Sequence, residues 1–99
     1  MKANFQDVIQ SEKPVLIDFF ATWCGPCQML APILKDVKTN LGERISIIKI
    51  DVDKNQELAD ALRIKGLPTL MIYKEGQMIW RQSGELDANT IISLVQEQI

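Results

Sequence analysis

Val15-Leu16-Ile17-Asp18-Phe19-Phe20-Ala21-Thr22-Trp23-Cys24-Gly25-Pro26-Cys27 is the stretch on which the fold turns. Its first six residues are apolar on both alternating faces except at Asp18, the pattern of a strand covered on both sides in the middle of a sheet. Three loop residues follow, and then Met29, Leu30, Ile33, Leu34, Val37 and Leu41 recur at helical spacing, which predicts a helix from about Cys24 to Asn40. Two cysteines three positions apart therefore stand in the first turn of a helix that leaves a buried strand.

That placement has chemical consequences. Residues i and i+3 share a helical face, so the two sulfurs can come within bonding range. The amino end of a helix offers unpaired amide hydrogens and the positive pole of the dipole, which favour a thiolate and lower the pKa of the first cysteine. Thiolate is the species that attacks a disulfide. Cys24 is thus the expected nucleophile, and Cys27, one turn deeper, the residue that resolves a mixed disulfide. Pro26 suits a first turn, where no acceptor is needed for its missing N–H. Gly25 keeps side-chain bulk away from the attacking sulfur.

Other uses of paired thiols fit less well. A zinc site wants about four cysteine or histidine ligands, and this chain has two cysteines and no histidine. A structural disulfide closing so short a loop removes little chain entropy. Two unrelated core cysteines leave Trp23, Gly25 and Pro26 at the junction unexplained. A CxxC beside a βαβ pattern reads as a redox pair.

Working outward, Asn4 to Ser11 reads as a short helix capped by Asn4, and Pro14 ends it. Ile45 to Ile50 is a second strand. Asp51 to Asn55 turns the chain into a helix through about Leu62. Thr69 to Tyr73 and Met78 to Gln82 are strands joined at Glu75-Gly76, Gly84 closes the second, and Asp87 caps a last helix bearing Ile91, Leu94 and Val95. The order is αβαβαββα. The first two strands, joined through a helix, must run parallel, and the last two form an antiparallel hairpin. This is an α/β class: a mixed four-stranded central sheet with helices on both faces, in a single domain over residues 1–99. Pro32 should kink the long helix, because it supplies no amide hydrogen.

The totals agree with a small soluble domain. The chain has 99 residues, 46% hydrophobic and 24% charged, with a net charge of −2. No basic cluster appears, so neither nucleic acid nor an anionic membrane is expected as a partner. Met1 to Pro14 lacks the continuous apolar core of a secretory signal, and the cytoplasm is the expected compartment.

Phe19 to Cys27 closely resembles the active-site segment of thioredoxins. The resemblance continues through Ala31-Pro32, Asp51-Val52-Asp53, Gly66-Leu67-Pro68-Thr69, Lys74-Glu75-Gly76 and Gly84, nearly the whole chain. It implies the thioredoxin fold and a cis peptide bond before Pro68, which would sit against the cysteine pair. The Leu67 backbone would then be free to pair with an extended client segment. Trp23, Gly66, Leu67, Pro68 and Gly84 would form the low-relief patch that receives client proteins, with Trp23 covering the site. Asp18, expensive to keep charged on a doubly covered strand, should have a raised pKa. By resemblance it is the buried general base that exchanges a proton with Cys27. Lys49 matches a lysine that accompanies this aspartate; two readings stand, one pairing with it and moderating its shift, the other a lysine snorkelling from the strand end.

Three departures from the family pattern stand out. The extra amino-terminal strand common in the family is absent or reduced to two or three residues. Phe20 replaces a frequent tryptophan, and Gln28 a frequent lysine.

The resemblance implies a general protein disulfide reductase with no bound cofactor, since the two sulfurs hold both electrons. It implies regeneration by a thioredoxin reductase drawing on NADPH. Ribonucleotide reductase, peroxiredoxin and methionine sulfoxide reductase are the clients it implies, and a monomer is the default. Two rivals remain at this point: a disulfide oxidase or isomerase using the same residues in the other direction, and a binding or chaperone subunit whose redox pair is incidental.

Overall fold

Eight α-helices and strands, besides two short 3-10 turns, follow one another among the residues described by the computed structural model, 4–84 and 86–99. They are α1 (Phe5–Val8), β1 (Val15–Phe20), α2 (Gly25–Leu41), β2 (Ser46–Asp51), α3 (Gln56–Ala61), β3 (Thr69–Lys74), β4 (Gln77–Ser83) and α4 (Ala88–Gln96). Their order is the expected αβαβαββα. The expectation of a missing or shortened amino-terminal strand falls on residues 1–3 and lies outside the described residues.

Several boundaries differ from the sequence expectation for identifiable reasons. The first helix stops at Val8 and not near Ser11, because the hairpin takes its continuation: the Gly76 amide donates to the Ile9 carbonyl at 3.0 Å and the Glu75 amide to the Ser11 carbonyl at 2.8 Å. β2 starts at Ser46, where its pairing with Val15 of β1 begins. α3, by contrast, starts at Gln56 as expected, after the turn Asp51–Asn55, in which the Asp51 carboxylate accepts from the Asp53 amide at 2.9 Å and winds Val52–Lys54 into a 3-10 turn. α2 continues through Pro32 to Leu41 as one helix. Glu75 and Gly76 have φ of 53° and 84°, so the hairpin is a two-residue turn with both central residues left-handed.

The sheet runs β2-β1-β3-β4, with β1 parallel to β2 and antiparallel to β3. β1 is therefore central, as its two-sided apolar run requires, and all but its last residue are buried. Its two faces feed different cores. Leu16, Leu70 and Ile72 pack with Leu30, Leu34 and Val37 of α2 and Ile91 and Val95 of α4. Val15, Ile17, Phe19, Met71 and Tyr73 pack on the other face, with Phe5 of α1 and Leu58 of α3 against them. Each such side chain contributes roughly 1.5–3 kcal/mol by leaving water. Together they fix where β1 ends and α2 begins, and that junction carries the cysteines.

Candidate active site

β1 ends at Phe20, at the carboxyl end of a central strand. The loop Ala21–Trp23 then turns the chain, with the Cys24 amide donating to the Ala21 carbonyl at 3.1 Å. Cys24 is the N-cap of α2: its backbone is extended, and its Sγ accepts a hydrogen bond from the Cys27 amide at 3.2 Å. The cap position usually held by serine, threonine or aspartate is thus filled by sulfur. Cys24 and Cys27 are joined in a disulfide with their Cα atoms 5.3 Å apart. Gly25 and Pro26 occupy the first helical positions and are exposed, and a side chain added at Gly25 would meet open space.

The pair is nearly buried, Cys24 at 4% and Cys27 at 5% exposure, with Phe20, Val52 and Leu67 packed against it. Trp23, expected to cover the site, is instead 70% exposed. The indole nitrogen donates to Oδ2 of Asp53 at 2.8 Å, which fixes the ring's direction. Asp53 was not among the residues expected at the site. Its only sequence signal is membership of the Asp51-Val52-Asp53 run.

The Leu67–Pro68 peptide is cis. Pro68 is buried, Leu67 half-buried and Gly66 exposed. The Gly84 amide donates to the Pro68 carbonyl at 2.8 Å, which joins the two chain segments of the expected client patch. Gly84 has a φ of +95°, a conformation that other residues rarely adopt. Thr69 and Ser83, also unanticipated, brace the same surface. The Thr69 hydroxyl donates to the Gly66 carbonyl at 2.6 Å and shares a 2.8 Å hydrogen bond with the Ser83 hydroxyl.

Asp18 lies inside. It is 1% exposed, and neither carboxylate oxygen has a hydrogen-bond partner among the described residues. Strand alternation puts it on the same face as Leu16, toward α2, the helix that carries Cys27. Burial pushes its pKa up from 3.8 to about 6, and the Lys49 charge restrains that rise. Of the two readings of Lys49, the snorkelling one fits its position, and its charge still moderates the Asp18 shift. Asp18 and Lys49 are Cα partners across the parallel ladder, but the orphaned carboxylate forms no direct bond with the ammonium, which stands 5.0 Å from the Phe20 ring centroid. An exposed lysine keeps its own hydration by extending past the ring, while its field still reaches the carboxylate. A cavity of about 340 Å³ beside Cys27 is lined by Phe20, Thr22, Gln28, Ala31 and Lys49.

A cysteine pair at a helix amino terminus, beside a cis-proline loop and following a strand that buries a carboxylate, is equipped for thiol–disulfide exchange. The family model described as Thioredoxin matches residues 1–97. The chain belongs to the thioredoxin family. It is 47% identical over 95 residues to a thioredoxin-like protein of Synechocystis sp., covering 95% of this chain and 90% of that one. It is 43% identical over 98 residues to thioredoxin Y, chloroplastic, of Oryza sativa subsp. japonica, covering 98% of this chain and 58% of the longer rice protein. A mutant thioredoxin from Halobacterium salinarum superposes with a TM-score of 0.85 at 35% identity, covering 99% of this chain and 85% of that one.

The architecture is therefore the thioredoxin fold, and the activity is dithiol–disulfide exchange that reduces protein disulfides. Membership also brings the general partners of a thioredoxin: a thioredoxin reductase and disulfide-containing proteins. Among the described residues, no group of three histidine, cysteine, aspartate or glutamate side chains is placed to hold a metal, and no helix is long and apolar enough to cross a membrane.

Proposed function

We propose that Cys24 is the attacking thiolate and Cys27 the resolving thiol of a general reductase. The observation that carries this is the hydrogen bond from the Cys27 amide to Cys24 Sγ at the helix terminus. In the reduced protein that amide donates to a developing thiolate, and the helix dipole adds to it.

Cys24 thiolate attacks one sulfur of a client disulfide, forming a mixed disulfide and releasing the first client thiolate. Cys27, deprotonated, then attacks Cys24 Sγ and expels the second client thiolate. The client gains two electrons and two protons, and the Cys24–Cys27 disulfide is left behind. Asp18 is the general base in this reading, taking the Cys27 proton. A carboxyl titrating near pH 6 is matched to that task near neutrality. Trp23, Gly66, Leu67, Pro68 and Gly84 receive the extended client backbone, and Lys49 tunes Asp18 through space.

Thioredoxin reductase, drawing on NADPH, restores the dithiol. Ribonucleotide reductase, peroxiredoxin and methionine sulfoxide reductase are the proposed clients, since each leaves a disulfide that needs two electrons. The proposed setting is a cytoplasmic monomer with one domain over residues 1–99. The Gly25-Pro26 dipeptide resembles that of reducing members and supports this direction over an oxidase.

The deciding experiment is equilibration of the Cys24–Cys27 couple against a thiol–disulfide buffer. A potential near about −270 mV, the reference value for thioredoxin itself and not one calculated from this geometry, upholds the reductant. A value near about −120 mV, typical of a periplasmic oxidant, reverses the direction. Cys24→Ser with Cys27→Ser abolishes turnover in this reading; retained function in that double variant points to a binding subunit.

A further inference from the structure

The expected client patch holds few groups that can read polarity. Trp23, Gly66, Leu67, Pro68 and Gly84 carry one side-chain hydrogen-bonding group between them, the Trp23 indole N–H, and Asp53 engages it. Two carbonyls of the patch are engaged as well. That of Gly66 accepts from the Thr69 hydroxyl at 2.6 Å, and that of Pro68 accepts from the Gly84 amide at 2.8 Å. Ser83 adjoins this surface: it precedes Gly84, pairs with Thr69 across the ladder of β3 and β4, and is exposed. A Cβ added at Gly66 would lie 3.7 Å from Ser83 Cβ and 3.9 Å from its Oγ, so the missing side chain leaves that side of the hydroxyl uncovered.

Counting protons fixes what this hydroxyl can do. A hydroxyl has one proton and two acceptor lone pairs. Thr69 is buried, and its proton goes to the Gly66 carbonyl, which can only accept. The 2.8 Å contact between the Thr69 and Ser83 hydroxyls therefore has Ser83 as its donor. With its proton so committed, Ser83 Oγ presents only lone pairs to whatever approaches from solvent. We propose that Ser83 is a specificity-determining residue of the client patch, its hydroxyl selecting client segments that bring a hydrogen-bond donor beside Gly66 over segments that bring an acceptor. An acceptor arriving there must break the Ser83–Thr69 bond or give up its own water without replacement, and an unpaired polar group is costlier than an apolar one. The proposal deepens the reading of this patch as the client surface and rests on it. A hydroxyl that only braced the Pro68 loop would treat every client alike.

The test uses the full chain carrying Cys27→Ser, which holds a mixed disulfide at Cys24 without resolving it. A peptide thiol displaces a small aromatic thiol from Cys24: one S–S bond breaks, one forms, and the peptide's proton passes to the departing thiol. The exchange constant thus reads contact with the peptide, whichever way electrons flow in the full reaction. Short peptides with a central cysteine carry lysine, methionine or glutamate at one flanking position at a time, side chains of similar length that donate, do neither, or accept. The expected result is one position at which lysine is favoured over methionine about fivefold, the worth of a single hydrogen bond, with glutamate no better than methionine. Ser83→Val abolishes that preference, and Ser83→Thr, of nearly the same shape as valine, keeps it. Thr69→Val frees the Ser83 proton, and glutamate then gains at the same position. The proposal is overturned by the absence of any such position, by a preference that survives Ser83→Val, by an equal loss for all three peptides in that variant, or by glutamate unmoved in a folded Thr69→Val protein. Both Ser83 variants change an exposed position, so they decide the matter even where Thr69→Val does not fold. Trp23→Ala separates the two possible failures. Constants unmoved for every peptide mean that the patch is not the client surface; constants lowered for all, with no lysine preference in the Trp23 protein, mean that Ser83 alone is wrongly assigned.

Discussion

The indole nitrogen of Trp23 donates to Oδ2 of Asp53 at 2.8 Å, joining the loop before the cysteines to the turn after β2 across 30 residues. The bond is solvent-exposed, so its net worth to folding is small, about 0.5–1.5 kcal/mol. Its larger effect is to hold a mostly exposed ring in one direction beside the redox pair. Asp53→Ala should therefore raise KM for a protein disulfide several-fold and leave reduction of a small aromatic disulfide nearly unchanged. Steady-state kinetics on both substrates checks this; equal losses on the two would mean that the bond acts on the sulfurs and not on client contact.

Asp18 gives a prediction of definite sign. Its pKa is higher in the folded protein, about 6 against 3.8, so between these values the native state holds the proton that the unfolded chain has lost. Stability therefore falls as pH rises through that window, and above about pH 6 the ionised carboxylate costs roughly 3 kcal/mol at 1.36 kcal/mol per unit. Asp18→Asn should stabilise the protein by up to that amount at pH 7 and by almost nothing at pH 3. Denaturant titrations at the two pH values measure the difference.

The same substitution separates folding from catalysis. If Asp18 exchanges a proton with Cys27, the variant loses the inflection near pH 6 in the rate of mixed-disulfide resolution while becoming more stable. Rapid-mixing kinetics on a trapped mixed disulfide reads this directly. An unchanged pH profile would remove Asp18 from the mechanism.

Gly84 carries both a left-handed φ and the amide that bonds Pro68. A Cβ there meets nothing within 4 Å, so the penalty of Gly84→Ala is conformational and not steric. It should destabilise the protein by about 1–3 kcal/mol and raise KM for protein clients by disturbing the Pro68 loop. Thermal unfolding and client kinetics should move together.

Asp87 provides a control away from the site. Its carboxylate accepts from the Thr90 amide at 3.2 Å at the start of α4, and hydrogen bonding by the Thr90 side chain first, with that amide second, holds its pKa below the ordinary value. The stabilisation is present above the unfolded pKa and fades as pH falls through the lowered one. Asp87→Ala should lower the unfolding midpoint at pH 7, lose that effect in acid, and leave reductase turnover unchanged.

Much of this was legible in the chain alone, because local physics decides it. The two-sided apolar run Val15–Phe20 had to be a central strand, the Cys24–Cys27 spacing had to fall in the first turn of α2, and Asp87 had to cap α4. Those features depend on period, capping and turn chemistry, which act within a few residues. Other features depend on partners far away in sequence. The antiparallel pairing of β1 with β3, which seats the Pro68 loop next to the cysteines, leaves no periodic signal in either strand. The Trp23–Asp53 and Gly84–Pro68 bonds, the orphaned Asp18 carboxylate and the exposed Lys49 ammonium over Phe20 likewise arise only once the sheet has brought distant segments together. Sequence determined which groups could do the chemistry; packing decided which of them meet and which are stripped of water.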